Sequence, residues 1–310
     1  MDISSLFVAM PGAIAQGLIW GIMAIGVYLT FRILDIADLS VDGTMCTGAA
    51  VCIVLMQSGT NVWVALLVAT LVGMLVGLVT GIFHTVMGIP AILAGILTQL
   101  GLWGVNLKIM GKSNQAINVD KYDLLVSLRY VRNSIFDKNT IFVTFLFILV
   151  IIAILYWFFG TELGSSIRAT GCNEAMARAQ GINTNFNKVL GLMISNGLVA
   201  LSSGLLGQFQ GFADINMGKG AIVIGLAAVI IGEAVFGRIF KNFALRLFAV
   251  ALGAVIYFMV LQLVIWFGID TNLLKLFQAL VVAVFLAIPY WKGKFLSKPK
   301  KIQATAKEEV

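Results

Sequence analysis

Long stretches without charge constrain this chain more than any other feature of its sequence. Residues 43–107 contain no Asp, Glu, Lys or Arg, and the same is true of residues 3–31, 139–161, 189–213 and 247–269. One membrane crossing takes about 20 residues, and an unpaired charge at mid-bilayer costs about 3 kcal/mol or more. The chain is 60% hydrophobic and only 11% charged, whereas soluble domains are about 25% charged. These figures exclude a soluble enzyme, a disordered chain and a nucleic-acid-binding protein.

The apolar runs divide into nine segments, at 13–31, 43–57, 62–86, 89–107, 140–160, 189–211, 220–236, 247–267 and 273–291. The segments at 43–57 and 220–236 are short, so we expect broken or re-entrant helices there. The sequence therefore predicts an all-α integral membrane protein, a polytopic bundle of eight to ten transmembrane helices. We expect one transmembrane domain over residues 1–291 and a basic tail at 292–310.

The placement of Lys and Arg predicts the orientation, because cytoplasmic ends are enriched in these residues. Six lysines in the tail after residue 291 place the C-terminus in the cytoplasm. Alternation then places the loops at 237–246 and 161–188 inside as well, and the loop at 108–139 outside. The outer loop holds six Lys or Arg against three Asp, which conflicts with the rule. The net charge of +7 is thus explained mainly by topology, and no nucleic-acid partner is expected.

The two halves of the chain resemble each other at a fixed offset of 176 residues. Gly21–Asp38 aligns with Gly197–Asp214, and after one inserted residue Gly43 and Gly48 meet Gly220 and Gly225. Each copy reads as an apolar helix, a short Ala-Asp stretch and a glycine-flanked short helix. The alternative is coincidence between two glycine-rich stretches. We predict an inverted repeat with halves at about 13–110 and 189–291, an arrangement typical of transporters.

Polar residues interrupt the apolar segments close to the two short helices. Irregular backbone at membrane depth requires protein or a water-filled cavity around it. We therefore predict that the following residues line a translocation pathway or gate: Asp38, Ser40, Asp42, Gln99, Asn196, Asp214, Asn216 and Glu233. A second interpretation is compatible with the first: Asp38 and Asp214 cap the following helices, and Asn196 and Gln99 join helices by hydrogen bonds.

The sequence contains no recognisable catalytic, metal or nucleotide site. Gly111-Lys112-Ser113 resembles the end of a phosphate loop, but Asn106 occupies the position where that motif requires glycine. Cys46, Cys52 and Cys172 form no ligand or disulfide pattern. Uphill transport by this chain would therefore draw energy from another chain or from an ion gradient.

A short helix is predicted inside the cytoplasmic loop, over roughly residues 172–180. Asn173 suits the N-cap, Glu174 the first turn, Arg178 lies four residues after Glu174, and Gly181 suits the end. Two helical turns are unstable in isolation. We therefore expect this helix to dock on a partner, the alternative being a surface helix without one.

The run Leu163-Gly164 … Arg168-Ala169 … Gly171 … Asn173-Glu174-Ala175 … Ala177 … Gly181-Ile182-Asn183 resembles the cytoplasmic loop of ABC importer permeases. The class is the one for branched-chain amino acids, ribose and related solutes. Further similar stretches are Ile89-Pro90-Ala91 with residues 97–101, residues 196–204, and residues 225–232. Glu233-Ala234 departs from the family's glycine-rich turn. Residues 38–43 are more similar to a branch associated with aromatic amino acids.

This resemblance implies a complex of two permeases, as a homodimer, and two cytoplasmic ABC ATPases that carry ATP and Mg²⁺, with no cofactor in this chain. It also implies an extracytoplasmic solute-binding lipoprotein and a place among the lipids of a bacterial cell membrane. The coupling residues would be Gly171, Asn173, Glu174, Ala175, Arg178 and Gly181. The expected solute is an amino acid, branched-chain or aromatic. Alternatives are a sugar or nucleoside permease, an ion-coupled secondary carrier, and a scaffold or receptor without transport.

Overall fold

The computed structural model is a bundle of helices with one small strand pair, and it describes residues 3–119, 121–122, 124–132, 139–237, 239–268, 273, 276–285 and 287. The basic tail at 292–310 and Arg238 lie outside the described residues. The helices are α1 (Ile3–Tyr28), α2 (Val41–Gln57), α3 (Val62–Thr85), α4 (Ala91–Met110), α5 (Thr140–Gly160), α6 (Glu162–Cys172), α7 (Glu174–Ala179), α8 (Thr184–Gln210), α9 (Ala221–Phe236), α10 (Phe243–Trp266) and α11 (Leu276–Phe285).

Six of these helices are long and apolar enough to cross a membrane: α1 with the turn after it, α3, α4, α5, α8 and α10. Three apolar helices, α2, α9 and α11, are shorter than a crossing. The predicted all-α polytopic fold is confirmed. The predicted shortness of the segments at 43–57 and 220–236 is also confirmed, since α2 has 17 residues and α9 has 16.

The sequence did not predict three local elements. Helix α1 ends in a π-helical turn, Leu29–Ile33. Helix α6 occupies the first part of the predicted loop at 161–188. Strands β1 (Asn114–Ala116) and β2 (Phe212–Asp214) pair antiparallel, which ties the loop after α4 to the end of α8. We call the end of the bundle that carries these strands the strand end, and the opposite end, which carries α6 and α7, the α7 end.

Helices α1 and α8 cross antiparallel at the centre of the bundle. The Ser195 hydroxyl donates to the Gly26 carbonyl at 2.8 Å, and the Ser202 hydroxyl donates to the Ile19 carbonyl at 2.7 Å. The repeat offset of 176 residues pairs Ile19 with Ser195 and Gly26 with Ser202. The repeat correspondence therefore converts each of these two hydrogen bonds into the other. An antiparallel crossing of equivalent helices is the arrangement that an inverted repeat requires.

The packing around this crossing follows the same correspondence. Gly48 of α2 packs against α8 at Ala200, while Gly225 of α9 packs against α1 at Met23 and Val27. Likewise α3 packs on α8 as α10 packs on α1. Because glycine has no Cβ, the helix backbones approach closely at these points. The bounds of the halves, 13–110 and 189–291, stay a prediction.

Candidate translocation pathway and coupling site

The two short helices begin near the middle of the bundle and run to opposite ends. Helix α2 starts beside Asn196, which lies close to the midpoint of α8. It finishes at the strand end, where the Gln57 amide donates to the Ala116 carbonyl at 2.7 Å. Helix α9 starts beside Asp42 and finishes at the α7 end, where Glu233 meets Arg32. At 1.5 Å per residue, Asn196 lies about 18 Å from the start of α8, which is mid-depth in a bilayer core of about 30 Å.

A closed polar cluster joins the start of α2 to α8. Asn196 Nδ2 donates to Asp38 Oδ2 at 2.7 Å, and Asn196 Oδ1 accepts from the Thr44 hydroxyl at 2.6 Å. The Ser40 hydroxyl donates to Asp38 Oδ1 at 2.6 Å. All four side chains are buried. The structure therefore brings together three of the predicted pathway residues, Asp38, Ser40 and Asn196, and they join helices by hydrogen bonds.

The Asp42 carboxylate lies at the N-termini of both short helices. It belongs to the first turn of α2, and it accepts hydrogen bonds of 2.9 Å from the backbone amides of Gly220 and Ile222 at the start of α9. A helix N-terminus carries unpaired amide donors and a partial positive charge of about half a unit. One carboxylate thus neutralises two helix ends from different halves of the chain.

Asp38 and Asp214 occupy equivalent positions and form the same local turn. Asp38 Oδ1 accepts from the Ser40 amide at 2.9 Å, and Asp214 Oδ1 accepts from the Asn216 amide at 2.8 Å. Each carboxylate therefore shapes the turn before a short helix, and the first-turn amides of α9 are capped by Asp42. Asp214 also accepts from the side chain of Asn114 at 3.2 Å. Asn216 is exposed.

Gln99 of α4 lies apart from the closed cluster, in a small cleft beside Asp42 that also contains Trp103, Asn106 and Lys219. Sequence reasoning did not place Trp103 or Asn106 in the site. The signal that was available is the position of Asn106, seven residues after Gln99 and so on the same helix face.

Glu233 is separate from both groups and lies at the α7 end. Arg32 Nε donates to its two carboxylate oxygens at 3.0 and 3.1 Å, and Arg32 Nη2 also bonds to it. The pair ties the π-helical turn after α1 to the end of α9. Both side chains are partly exposed, so the pair contributes little to stability by itself.

The predicted short helix is present as α7, and its N-cap is the predicted one. Asn173 Oδ1 accepts from the Met176 amide at 3.0 Å. Glu174 pairs with Arg178 at 2.6 Å and with Lys188 at 2.8 Å. The hydrogen bond from Lys188 lowers the pKa of Glu174 below its usual value of 4.5. These charges brace α7 against the first turns of α8.

The contacts that hold α7 in place leave one of its faces exposed. Ala177 is fully buried, whereas Ala175, Met176 and Ala179 are exposed, Met176 at 53%. Gly171 in α6 packs directly on the carbonyl of Ile33, where a Cβ would collide with backbone. After α7, Gly181 adopts a φ of +79°, a left-handed conformation that favours glycine.

Residues 10–289 match the family described as "Branched-chain amino acid transport system / permease component". The chain belongs to this family of branched-chain amino acid permeases. It is 40% identical over 272 residues, 88% of each chain, to a tyrosine transport system permease protein of Clostridioides difficile (strain R20291). It is also 36% identical over 277 residues, 89% of this chain and 95% of the relative, to an uncharacterised protein of Rickettsia prowazekii (strain Madrid E). No solved structure matches the chain.

Membership in this permease family, together with the six long apolar helices, identifies a multi-pass membrane transport subunit. The resemblance to permeases of the branched-chain amino acid class is confirmed.

Proposed function

We propose that the protein is the permease subunit of an ATP-driven importer for an amino acid. The observation that carries this proposal is α7, a six-residue helix held by its own cap and ion pairs, with Met176 and neighbouring alanines exposed at one end of the bundle. Two turns of helix have little stability of their own. Because α7 is fixed by its cap and ion pairs while its apolar face is exposed, we infer that this face binds a partner, here the ATPase.

The α7 end is then cytoplasmic and the strand end faces outward, towards an extracytoplasmic binding protein. This orientation follows from the basic residues of the tail and of the loops at 161–188 and 237–246. The path from α7 to the pathway is short, because α6 packs on the π-helical turn of α1 at Ile33, and Arg32 in the same turn pairs with Glu233 of α9. A displacement of α7 would reach the short helix α9 through these contacts.

An amino acid, aromatic or branched-chain, is the proposed solute. The support is the tyrosine permease relative and the similarity of residues 38–43 to an aromatic amino-acid branch. The binding protein would deliver it to the strand end. We propose a homodimer, in which a second copy completes the pathway, and ATP with Mg²⁺ on the two ATPase chains.

The test is association with the proposed partner ATPase. We expect Met176→Asp to abolish copurification of the ATPase, because a charge would enter an apolar contact. Met87→Asp is the matched control: Met87 is exposed at 63% at the same end of the bundle but lies outside α7. Equal copurification by the two variants would contradict the coupling role. Uptake that persists after deletion of the ATPase would instead support an ion-coupled carrier.

A further inference from the structure

A cleft between α4 and the meeting point of the short helices contains polar groups that the rest of the protein leaves unused. We call it the α4 cleft. Its volume is about 30 Å³, and its walls are Asp42, Gly43, Cys46, Gln99, Trp103, Asn106, Ile215 and Lys219. Volume of this size accommodates about one water molecule or a group of similar size.

Asn106 is the key residue of the cleft. Its side chain is 1% exposed, and its Nδ2 donates to the Gly43 carbonyl at 3.4 Å. Its Oδ1 is buried and has no hydrogen-bond partner among the described residues. A buried acceptor without a donor is energetically unfavourable, so such an atom points to a donor that arrives from elsewhere.

Two further groups at the cleft are available to a ligand. The Gln99 amide is partly buried and makes no hydrogen bond within the described part of the chain. The Lys219 ammonium lies 4.8 Å from the centroid of the Trp103 ring, in a cation–π contact. The carboxylate of Asp42 also lines the cleft, and its two bonds to α9 amides leave lone pairs free.

We propose that the α4 cleft binds the ammonium group of an α-amino acid on its way through the protein, with the solute carboxylate at its mouth, an inference that rests on the proposed function. Lys219 pairs with the solute carboxylate. Asn106 Oδ1 and the Asp42 carboxylate accept hydrogen bonds from the solute ammonium. One cation and one anion line the cleft, which matches the two opposite charges of an amino-acid head.

The size of the cleft determines which part of the solute binds inside it. Only the ammonium group fits inside, so the carboxylate lies at the mouth beside the exposed Lys219. The side chain lies outside, along the open face of α4, where Leu100 is 67% and Trp103 41% exposed. The site therefore recognises the ammonium and carboxylate that all amino acids share. It places little restriction on the side chain, and that selection falls to the binding protein.

The experiment measures occupancy directly in the permease–ATPase complex. Gln99→Cys is introduced after the buried Cys46 and Cys52 are replaced by Ala, which adds no hydrogen-bond donor to the cleft, and the exposed Cys172 is replaced by Ser. Alkylation of the new thiol is then followed at increasing solute concentration. We expect tyrosine and leucine to slow alkylation alike. Tyramine, which lacks the carboxylate, and 3-(4-hydroxyphenyl)propionate, which lacks the ammonium, should give no protection.

In this background Lys219→Met and Asn106→Leu should each raise the half-protective tyrosine concentration about tenfold or more, while Lys219→Arg and Asn106→Asp retain protection. Lys121→Met is the matched control, because Lys121 also lies over an aromatic ring, that of Tyr122, at the strand end. Protection unchanged by Lys219→Met, or equal protection by tyramine, would overturn the inference. Failure of the proposed function is distinguishable, since the unsubstituted complex would then show no ATP-dependent uptake of amino acids.

Discussion

Asn196 Nδ2 donates a hydrogen bond of 2.7 Å to Asp38 Oδ2, and neither side chain is exposed by more than 1%. This bond joins the turn before α2 to the midpoint of α8, and so links the two halves of the chain at the centre of the bundle.

Asn196→Leu removes the donor and leaves a buried carboxylate oxygen unpaired. We expect a loss of about 1–3 kcal/mol in the free energy of unfolding, measured by denaturant titration of the purified protein in detergent. Asn216→Leu is the control, because Asn216 is exposed and its replacement should change stability by about 0.5 kcal/mol or less. Equal effects of the two substitutions would show that the central bond is unimportant.

The glycine contacts between the two repeat copies predict that Gly→Ala substitutions destabilise the protein to different extents. A Cβ at Gly48 would lie 2.6 Å from the Ala200 Cα, which is backbone, whereas at Gly225 it would meet the side chains of Val27 and Met23 at 2.9 and 3.1 Å. Gly48→Ala should therefore lower the unfolding free energy by about 1–3 kcal/mol, and Gly225→Ala by less. Gly101→Ala, with open space around it, should be neutral or stabilising. Thermal unfolding in detergent checks the order, and a reversal would contradict the packing described.

The Asp42 carboxylate should protect the first amides of α9 from hydrogen exchange. Asp42→Ala removes the acceptor of the Gly220 and Ile222 amides, and loss of such a cap costs about 0.5–2 kcal/mol. We expect faster hydrogen exchange at residues 220–224 and unchanged exchange in α5, which lies elsewhere in the bundle. Unchanged exchange at 220–224 would mean that the cap is dispensable.

The pKa of Glu174 predicts how α7 responds to pH. Because the hydrogen bond from Lys188 lowers this pKa in the folded loop, folding favours the ionised carboxylate. The stabilisation is present at neutral pH and is lost as the pH falls below about 4.5 and through the lowered pKa.

The protection factors for hydrogen exchange at residues 174–182, which correct for the intrinsic pH dependence of exchange, should therefore fall on acidification. Lys188→Met should weaken this dependence, since it removes the principal cause of the shift, and Lys121→Met at the opposite end should leave it unchanged. An identical pH profile for Lys188→Met would contradict the assignment.

The sequence was sufficient to predict what depends on composition and local chemistry. Charge-free runs predicted the apolar helices, including the short ones at α2 and α9, because burial of charge in lipid is costly wherever it occurs. Asn173 and Gly181 predicted the ends of α7, because a cap and a left-handed glycine act within a few residues.

Contacts between distant segments could not be predicted in this way. Asp42 caps α9 from 178 residues away along the chain, and nothing near Asp42 in the sequence specifies that partner. The strand pair joins residues 114–116 to 212–214, and each strand is too short to leave a pattern. In the sequence Asn106 is recognisable only as a mismatch to a phosphate loop, because its burial beside Gly43 depends on how α4 packs on α2.

We propose that this chain transports an amino acid by coupling to an ATPase through α7. The most direct measurement is uptake of labelled tyrosine into proteoliposomes that contain the permease, its ATPase and its binding protein, with ATP supplied to the ATPase side. We predict accumulation with ATP, none without it, and none for Met176→Asp. Accumulation that is independent of ATP and insensitive to Met176→Asp would contradict this coupling.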